Sequence, residues 1–215
     1  MNSAATKPGT AIDEAETTTE PAWEIARLFP DQGAWTEEEY LALPDRRLVE
    51  FSQGFIEVLT MPTTTHQWTV LFLYRMLEAF CSSQGKGTVL VAPLKVRLWP
   101  GKFRDPDVVM LLAEHERRIG DAYWDGADLV MEIVSEDDRG RDLDVKRREY
   151  ARAGILEYWI VDPREEMIRV LSLQENFYNT WCEARKGERA RSRLLADFSV
   201  AGAEVFAAPR FSGNV

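Results

Sequence analysis

The stretch DLVMEIVSEDDRGRDLDVKRREYARAGILEYWIVDP, residues 128–163, places two apolar segments on either side of a helical one. DLVMEIV is a short and almost unbroken apolar run, as in strands that are buried on both faces of a sheet. RDLDVKRREYARAG predicts a helix that ends at Gly154, and EYWIVDP predicts a strand that is closed by Pro163. This strand–helix–strand unit indicates an α/β fold.

Strands are more frequent in the part of the chain before this unit. Periodicity and turn residues predict a short helix capped by Thr36 and Glu39, a hairpin over residues 47–61 and a long helix over 63–85. Residues 87–111 together predict two strands, a turn at Pro100-Gly101 and a third strand. A strand over 167–173 is predicted to form a hairpin with EYWIVDP. Together these elements predict one α/β domain with a mixed sheet and helices packed on it.

The composition favours a single domain. The chain has 215 residues, 45% of them hydrophobic, which suffices for one well-filled core. Residues 1–22 are rich in Thr, Ala and Glu, and we interpret them as a disordered acidic tail before a single domain over residues 23–215. No apolar run approaches the ~20 residues of a membrane span, and no secretory signal begins the sequence. Cys81 and Cys182 form no CxxC pair, so a cytoplasmic protein is expected.

The negative charge is concentrated near the N-terminus. Residues 1–45 carry ten acids and two bases, whereas residues 46–215 carry 26 acids and 24 bases. A nearly neutral domain differs from proteins that coat nucleic acid in bulk, because those present a basic face. Local clusters of Arg and Lys remain candidates for phosphate contacts, although a solvated surface is the simpler interpretation of each.

Glu132 is the most informative residue, because it lies within the apolar run from Leu129 to Val134. An ionised carboxylate in such a strand costs several kcal/mol unless it is compensated. The sequence leaves three explanations open: Glu132 is protonated, is paired with a buried Arg or Lys, or binds a metal ion.

Asp107 follows Pro106 at the entrance to the predicted strand VVML. If this strand is a neighbour of DLVMEIV, Asp107 and Glu132 come close together, and two like charges at ~4 Å repel by ~4 kcal/mol at an effective dielectric constant of about 20. A divalent cation between them reverses that repulsion. Oxygen ligands suit Mg²⁺ or Mn²⁺ better than zinc, and the presence of only two histidines, His66 and His115, excludes a multi-histidine zinc site.

Lys146 lies on the apolar face of the predicted helix, together with Leu143, Tyr150 and Ala153. Two interpretations are open. The lysine extends to solvent or pairs along the helix with a neighbouring acid, or its ammonium group reaches the pocket that holds Glu132. Glu50 lies in the predicted hairpin, where an outward-facing Glu is ordinary.

An acid after proline at a strand start, an acid on a later strand and a lysine together resemble the PD-(D/E)XK nuclease superfamily. The ordered set of segments resembles its Uma-type, restriction-endonuclease-like family over roughly residues 35–205. The most specific segment keeps the family's residues in their order: Asp142, Lys146, Tyr150, Gly154, Glu157, Tyr158, Trp159 and Asp162. The resemblance implies a restriction-endonuclease-like mixed β-sheet flanked by helices.

The resemblance also implies roles for individual residues. Asp107 and Glu132 match two metal ligands, and Glu50 matches an early glutamate that completes the metal shell directly or through water. Val134 stands where the superfamily motif has its lysine, and the Uma-type family moves that lysine to the following helix, at Lys146. Residues with accessory roles to consider are Lys95 as an alternative amine, Asp105 as added charge, and His66 as a group that orients water.

The function implied is Mg²⁺- or Mn²⁺-dependent hydrolysis of phosphodiester bonds in nucleic acid, most simply DNA, by an endonuclease. The predicted contacts to substrate phosphates are Arg139, Arg141 and Arg147. We consider a homodimer paired through MIRVLSL or the C-terminal strands. The alternative function is a catalytically inactive nuclease-fold protein that binds nucleic acid or another protein. A nuclease restrained by its own acidic tail is a third hypothesis.

Overall fold

The computed structural model describes residues 30–43, 48–135 and 140–207, with the backbone alone at residues 141 and 142. In chain order the described elements are α1 (Glu37–Leu41), β1 (Val49–Ser52), β2 (Phe55–Val58), α2 (Thr64–Gln84), β3 (Gly87–Val91), β4 (Val96–Trp99), β5 (Lys102–Arg104), β6 (Val108–Leu112), a 3₁₀ turn (Ala113–Arg118), β7 (Leu129–Ile133), a π-helical turn (Arg141–Val145), α3 (Lys146–Arg152), β8 (Glu157–Asp162), β9 (Met167–Gln174), β10 (Phe177–Arg185), β11 (Arg189–Arg191), β12 (Ser199–Ala201) and α4 (Gly202–Val205).

The largest sheet has six strands in the order β10-β9-β8-β7-β6-β3. Strands β7 and β8 are parallel and are joined by α3, whereas the other neighbours are antiparallel, so the prediction of a mixed sheet is confirmed. All five residues of β7 and all six of β8 are buried, as their apolar composition predicted. MIRVLSL, considered above as a segment that pairs two chains, is not an edge strand, because β9 pairs with β8 on one side and with β10 on the other.

A second sheet of four strands has the order β2-β1-β5-β4. Its β1–β2 hairpin is confirmed, with Ser52 opposite Phe55. The predicted strand VVML is present as β6, but the sequence predicted a single strand after the Pro100-Gly101 turn and the structure has two, since β5 belongs to the four-stranded sheet and β6 to the six-stranded sheet. Pro106 has no N–H group to donate to a strand ladder, so the chain changes sheets at Asp105-Pro106-Asp107.

The helices cover the six-stranded sheet and complete its core. One face packs on α2 through Val70, Leu73 and Leu77, and the other face buries Tyr150 and Ala151 of α3. The predicted helix starts are confirmed at Thr36, whose hydroxyl accepts from the Glu39 N–H at 3.2 Å while the Glu39 carboxylate accepts from the Thr36 N–H at 2.8 Å. Within the described ranges no helix is long and apolar enough to span a bilayer.

Candidate active site

Asp107 directly precedes β6, and Glu132 lies on the neighbouring strand β7. Val108 pairs with Met131 in the antiparallel register of β6 and β7, so the residue before Val108 faces the residue after Met131. Side chains directly opposite each other in such a pair point to the same face of the sheet. A further bond fixes Asp107, because its Oδ2 accepts from the Ile133 N–H at 2.8 Å. The change of sheet at Pro106 thus brings one carboxylate to the end of β7.

Glu132 is 3% exposed and is held by two side chains of α3. Its Oε1 accepts from the Tyr150 hydroxyl at 2.5 Å, and its Oε2 lies 2.9 Å from Lys146 Nζ. Of the explanations left open by the sequence, pairing with a buried lysine describes this structure. Lys146 itself is 8% exposed, so its ammonium group faces the sheet and does not extend to solvent. Burial and the charge of Glu132 raise the pKa of Tyr150 well above its usual range, which keeps its hydroxyl a donor.

His66, in the first turn of α2, contacts the other acid. Its Nε2 lies 3.2 Å from Asp107 Oδ2, and its Nδ1 is buried without a hydrogen-bond partner in the described part of the chain. Burial by itself would lower the pKa of His66, but the hydrogen bond to Asp107 and the charge of that carboxylate outweigh it and raise the pKa. His66 therefore contacts Asp107, and its role in orienting water stays a prediction.

Glu50 is 1% exposed, so the interpretation as an ordinary outward-facing Glu is wrong. Its Oε2 pairs with the Arg104 guanidinium, and its Oε1 accepts from the Asp105 N–H at 3.2 Å. The carboxylate thus holds the start of the segment that leads to Asp107. Asp105 is 8% exposed, and its Oδ1 is buried with no hydrogen-bond partner among the described residues.

The titration of Asp105 gives a prediction for stability against pH. Burial, followed by the charge of Glu50, raises the pKa of Asp105 to about 7, against an unfolded value of about 3.9. Between these values the folded chain holds a proton that the unfolded chain has lost, so stability falls as pH rises through this window. Asp105→Asn should remove that fall, so its free energy of unfolding should rise by a few kcal/mol relative to wild type between pH 4 and pH 8. Urea unfolding in the presence of EDTA measures this difference.

The exposed acid Asp121 supplies the control for this measurement. Asp121→Asn should track wild type at both pH values. If the difference between Asp105→Asn and wild type is the same at pH 4 as at pH 8, Asp105 is ionised across the whole range and the interpretation of its environment is wrong.

Three further residues hold this region together and were not predicted as part of the site: Lys102, Arg104 and Glu149. Lys102 begins β5 and Arg104 ends it. Each is 3% exposed, and both bind the Glu149 carboxylate of α3. Two signals were available. Arg104 directly precedes Asp105, and Glu149 follows Lys146 by three residues and so shares its side of the helix.

The contacts described for the remaining predicted site residues are to groups other than the Asp107 and Glu132 carboxylates. Lys95 Nζ is 5.5 Å from the centre of the Tyr40 ring, and its charge is one of those that lower the pKa of Asp105. Arg147 donates to the Tyr178 carbonyl of β10 at 2.9 Å, so its guanidinium is engaged with that strand. Arg139 and the side chain of Arg141 lie outside the described residues, as does the tail over residues 1–22.

The donor set fits a hard divalent cation. Within the residues that the structure describes, no three His, Cys, Asp or Glu side chains converge as a metal-binding group. Mg²⁺ does not require such a group, because proteins commonly bind it through one or two carboxylates, with waters and substrate phosphates completing the shell. Asp107, directly before β6, and Glu132 of β7 supply two carboxylates, and the buried Asp105 Oδ1 is an additional oxygen that has no hydrogen-bond partner among the described residues.

Comparison with known proteins identifies the fold and the family of the chain. The solved structure of a putative nuclease from Anabaena variabilis matches with a TM-score of 0.67 and 16% identity, covering 80% of this chain and 98% of that one. At this identity the similarity shows the fold, which is the predicted restriction-endonuclease-like mixed sheet flanked by helices. No curated protein gives a significant match. The model of the Uma2 family, described as a putative restriction endonuclease, matches residues 37–201, so the chain belongs to the Uma2 family.

Proposed function

We propose that the protein is a Mg²⁺- or Mn²⁺-dependent endonuclease that hydrolyses phosphodiester bonds in DNA. The observation that carries the proposal is the pair of carboxylates at two adjacent strands, one directly before β6 and one within β7, each in contact with a cationic or hydrogen-bonding side chain from a helix. Asp107 and Glu132 are the proposed ligands, with Glu50 as a third through water. The bound ion would bind a phosphate oxygen and lower the pKa of a water molecule. The proposal includes a cytoplasmic location, which the sparse cysteines support.

The side chains of this protein divide the remaining work. Lys146 brings a buried positive charge to Glu132, where it is suited to stabilise negative charge that develops on a phosphate. Tyr150 fixes the orientation of the Glu132 carboxylate, and His66 and the Ile133 N–H fix that of Asp107. Such fixed orientation is what a reactive arrangement needs, because donors that are already in place cost no reorganisation.

Plasmid and oligonucleotide cleavage tests the proposal. Wild-type protein should nick or linearise DNA with Mg²⁺ or Mn²⁺, and EDTA should stop the reaction. Asp107→Asn keeps the size of the side chain but removes a charge, and should lower the rate by about 10³-fold. Asp121→Asn, at an exposed site, should match wild type. Equal rates for Asp107→Asn and wild type would assign the cleavage to a contaminant.

A second function, a binding module without catalysis, is favoured by one observation. Glu132 and Asp107 are already paired with Lys146 and His66, so the acids have partners without a metal ion. The two functions differ in their response to Mn²⁺. A metal-binding site gains stability by RT ln(1 + [L]/Kd), which is ~2.7 kcal/mol at 100 times Kd. A binding module of this kind would show no change of melting temperature with Mn²⁺, yet would still shift the mobility of DNA or retain a partner protein.

A further inference from the structure

One buried arginine joins carboxylates from two different elements. Arg104, at the end of β5, pairs with Glu50 of β1 through Nη1, and its Nε and Nη2 both lie 2.7 Å from Glu149 Oε2 of α3. Lys102 adds to this arrangement, because its Nζ lies 2.6 Å from Glu149 Oε1 and 3.1 Å from the Ser52 hydroxyl. Both basic residues of β5 thus bind a single carboxylate of the helix.

Helix α3 is also bound to the six-stranded sheet, through residues next to Glu149 on the helix. Glu149 and Tyr150 follow Lys146 by three and four residues, so all three side chains lie on the same side of α3. Lys146 and Tyr150 bind Glu132 of the six-stranded sheet, and Glu149 binds β5 of the four-stranded sheet. The helix therefore has contacts to a charged group in each sheet.

The short length of α3 makes these contacts important. It has seven residues and follows a π-helical turn, and an isolated helix of that length is not stable in water. Its place is consequently set by tertiary contacts. Lys146 has a long flexible side chain, which stays at Glu132 only if the backbone that carries it is fixed.

We propose that Glu149, held by Arg104 and Lys102, is a positioning residue that keeps the Lys146 ammonium group at Glu132. Its relevance to catalysis rests on the proposed function, whereas its effect on Lys146 does not. The carboxylate of Glu149 touches neither Glu132 nor Asp107 among its bonds in the described structure, so it acts through the helix. An ion pair with only a structural role would contribute to stability and leave Lys146 protected in the folded protein.

The reactivity of Lys146 toward an amine-acetylating reagent measures this directly, with mass spectrometry of each lysine. Exposed Lys86 serves as the internal reference. In Glu149→Gln the Lys146 rate should rise about 10-fold relative to Lys86, because the helix opens more often. Glu183→Gln, which removes an exposed pair with Arg169, is the matched control and should leave the rate unchanged.

A second variant separates positioning from a simple change of charge, and guards against poor folding of the first. Lys102→Met removes one cation from Glu149 and leaves Arg104 to hold the same carboxylate. Positioning predicts a faster Lys146 reaction, about 3-fold. A purely electrostatic effect predicts a slower one, because losing a nearby positive charge makes Lys146 easier to protonate.

Cleavage kinetics then link the position of Lys146 to function. Glu149→Gln should lower the cleavage rate about 10-fold in wild type and have no further effect in a Lys146→Met background. An unchanged Lys146 reactivity in folded Glu149→Gln would overturn the positioning role. Absence of cleavage by wild type would overturn the proposed function instead, and the acetylation result would still decide the positioning role.

Discussion

Glu132→Gln is expected to lower metal-dependent cleavage by about 10³-fold, which corresponds to several kcal/mol of transition-state stabilisation. Glutamine has the size of Glu132 and still accepts from the Tyr150 hydroxyl, so the packing around the 3%-exposed side chain is preserved. What is lost is the negative charge, both for a divalent cation and for the Lys146 ammonium group 2.9 Å away. The rate should be measured under single-turnover conditions with Mn²⁺.

Loss of stability is a second effect of the same change, since a buried ammonium group without its counter-charge costs about 3–5 kcal/mol. Each variant is therefore assayed well below its own unfolding temperature, with the folded fraction checked by circular dichroism. Glu183→Gln, at a half-exposed pair, is the control and should cleave as wild type does. A folded Glu132→Gln protein that cleaves at the wild-type rate would remove Glu132 from the active site.

Glu157→Gln is expected to lower the free energy of unfolding by about 3–5 kcal/mol while leaving the cleavage rate of folded molecules unchanged. Glu157 is fully buried at the start of β8. Its Oε1 accepts from Trp159 Nε1 and the Ser192 hydroxyl, both at 2.7 Å, and its Oε2 accepts from the N–H groups of Arg193 at 2.6 Å and Leu194 at 2.9 Å.

Glutamine cannot satisfy these four donors, because its NH₂ group must face either two backbone N–H groups or the Trp159 and Ser192 donors. Urea unfolding measures the loss. Glu188→Gln, at an exposed carboxylate that accepts from the Arg185 N–H, should change stability by no more than about 0.5 kcal/mol. If Glu157→Gln were as stable as wild type, the loop over residues 192–195 would not depend on this carboxylate.

Glu132 and Glu157 show how far the sequence could predict the site. Both are acids within apolar segments of adjacent parallel strands, and their local patterns are alike. The difference comes from residues distant in the chain, with Lys146 and Tyr150 of α3 at one and the backbone of residues 193–194 at the other. Helical spacing predicted the side of the helix on which Lys146 lies, but it left open whether the ammonium group reaches Glu132. The buried environment of Glu50 was not predictable from its hairpin, because it depends on Arg104.

The fold was predictable wherever the apolar residues of a segment repeat with the spacing of a single helix or strand. The strand–helix–strand unit, the hairpins and the long helix α2 all follow local patterns, and α2 is closed by Gly85 in a left-handed conformation directly after Gln84. The missed break between β5 and β6 has a different origin. Lys102–Arg104 and Val108–Leu112 both have strand-like sequences, and only their pairing with different sheets separates them. That pairing is what brings Asp107 beside Glu132.

The most direct test of the account is the position of Mn²⁺ in crystals grown with the ion, read from its anomalous scattering. We expect a peak bonded to carboxylate oxygens of both Asp107 and Glu132, at about 2.0–2.2 Å, and the loss of that peak in Asp107→Asn crystals. A peak bonded elsewhere would contradict this expectation. So would crystals grown at saturating Mn²⁺ in which the two carboxylates bind no ion and contact only His66 and Lys146.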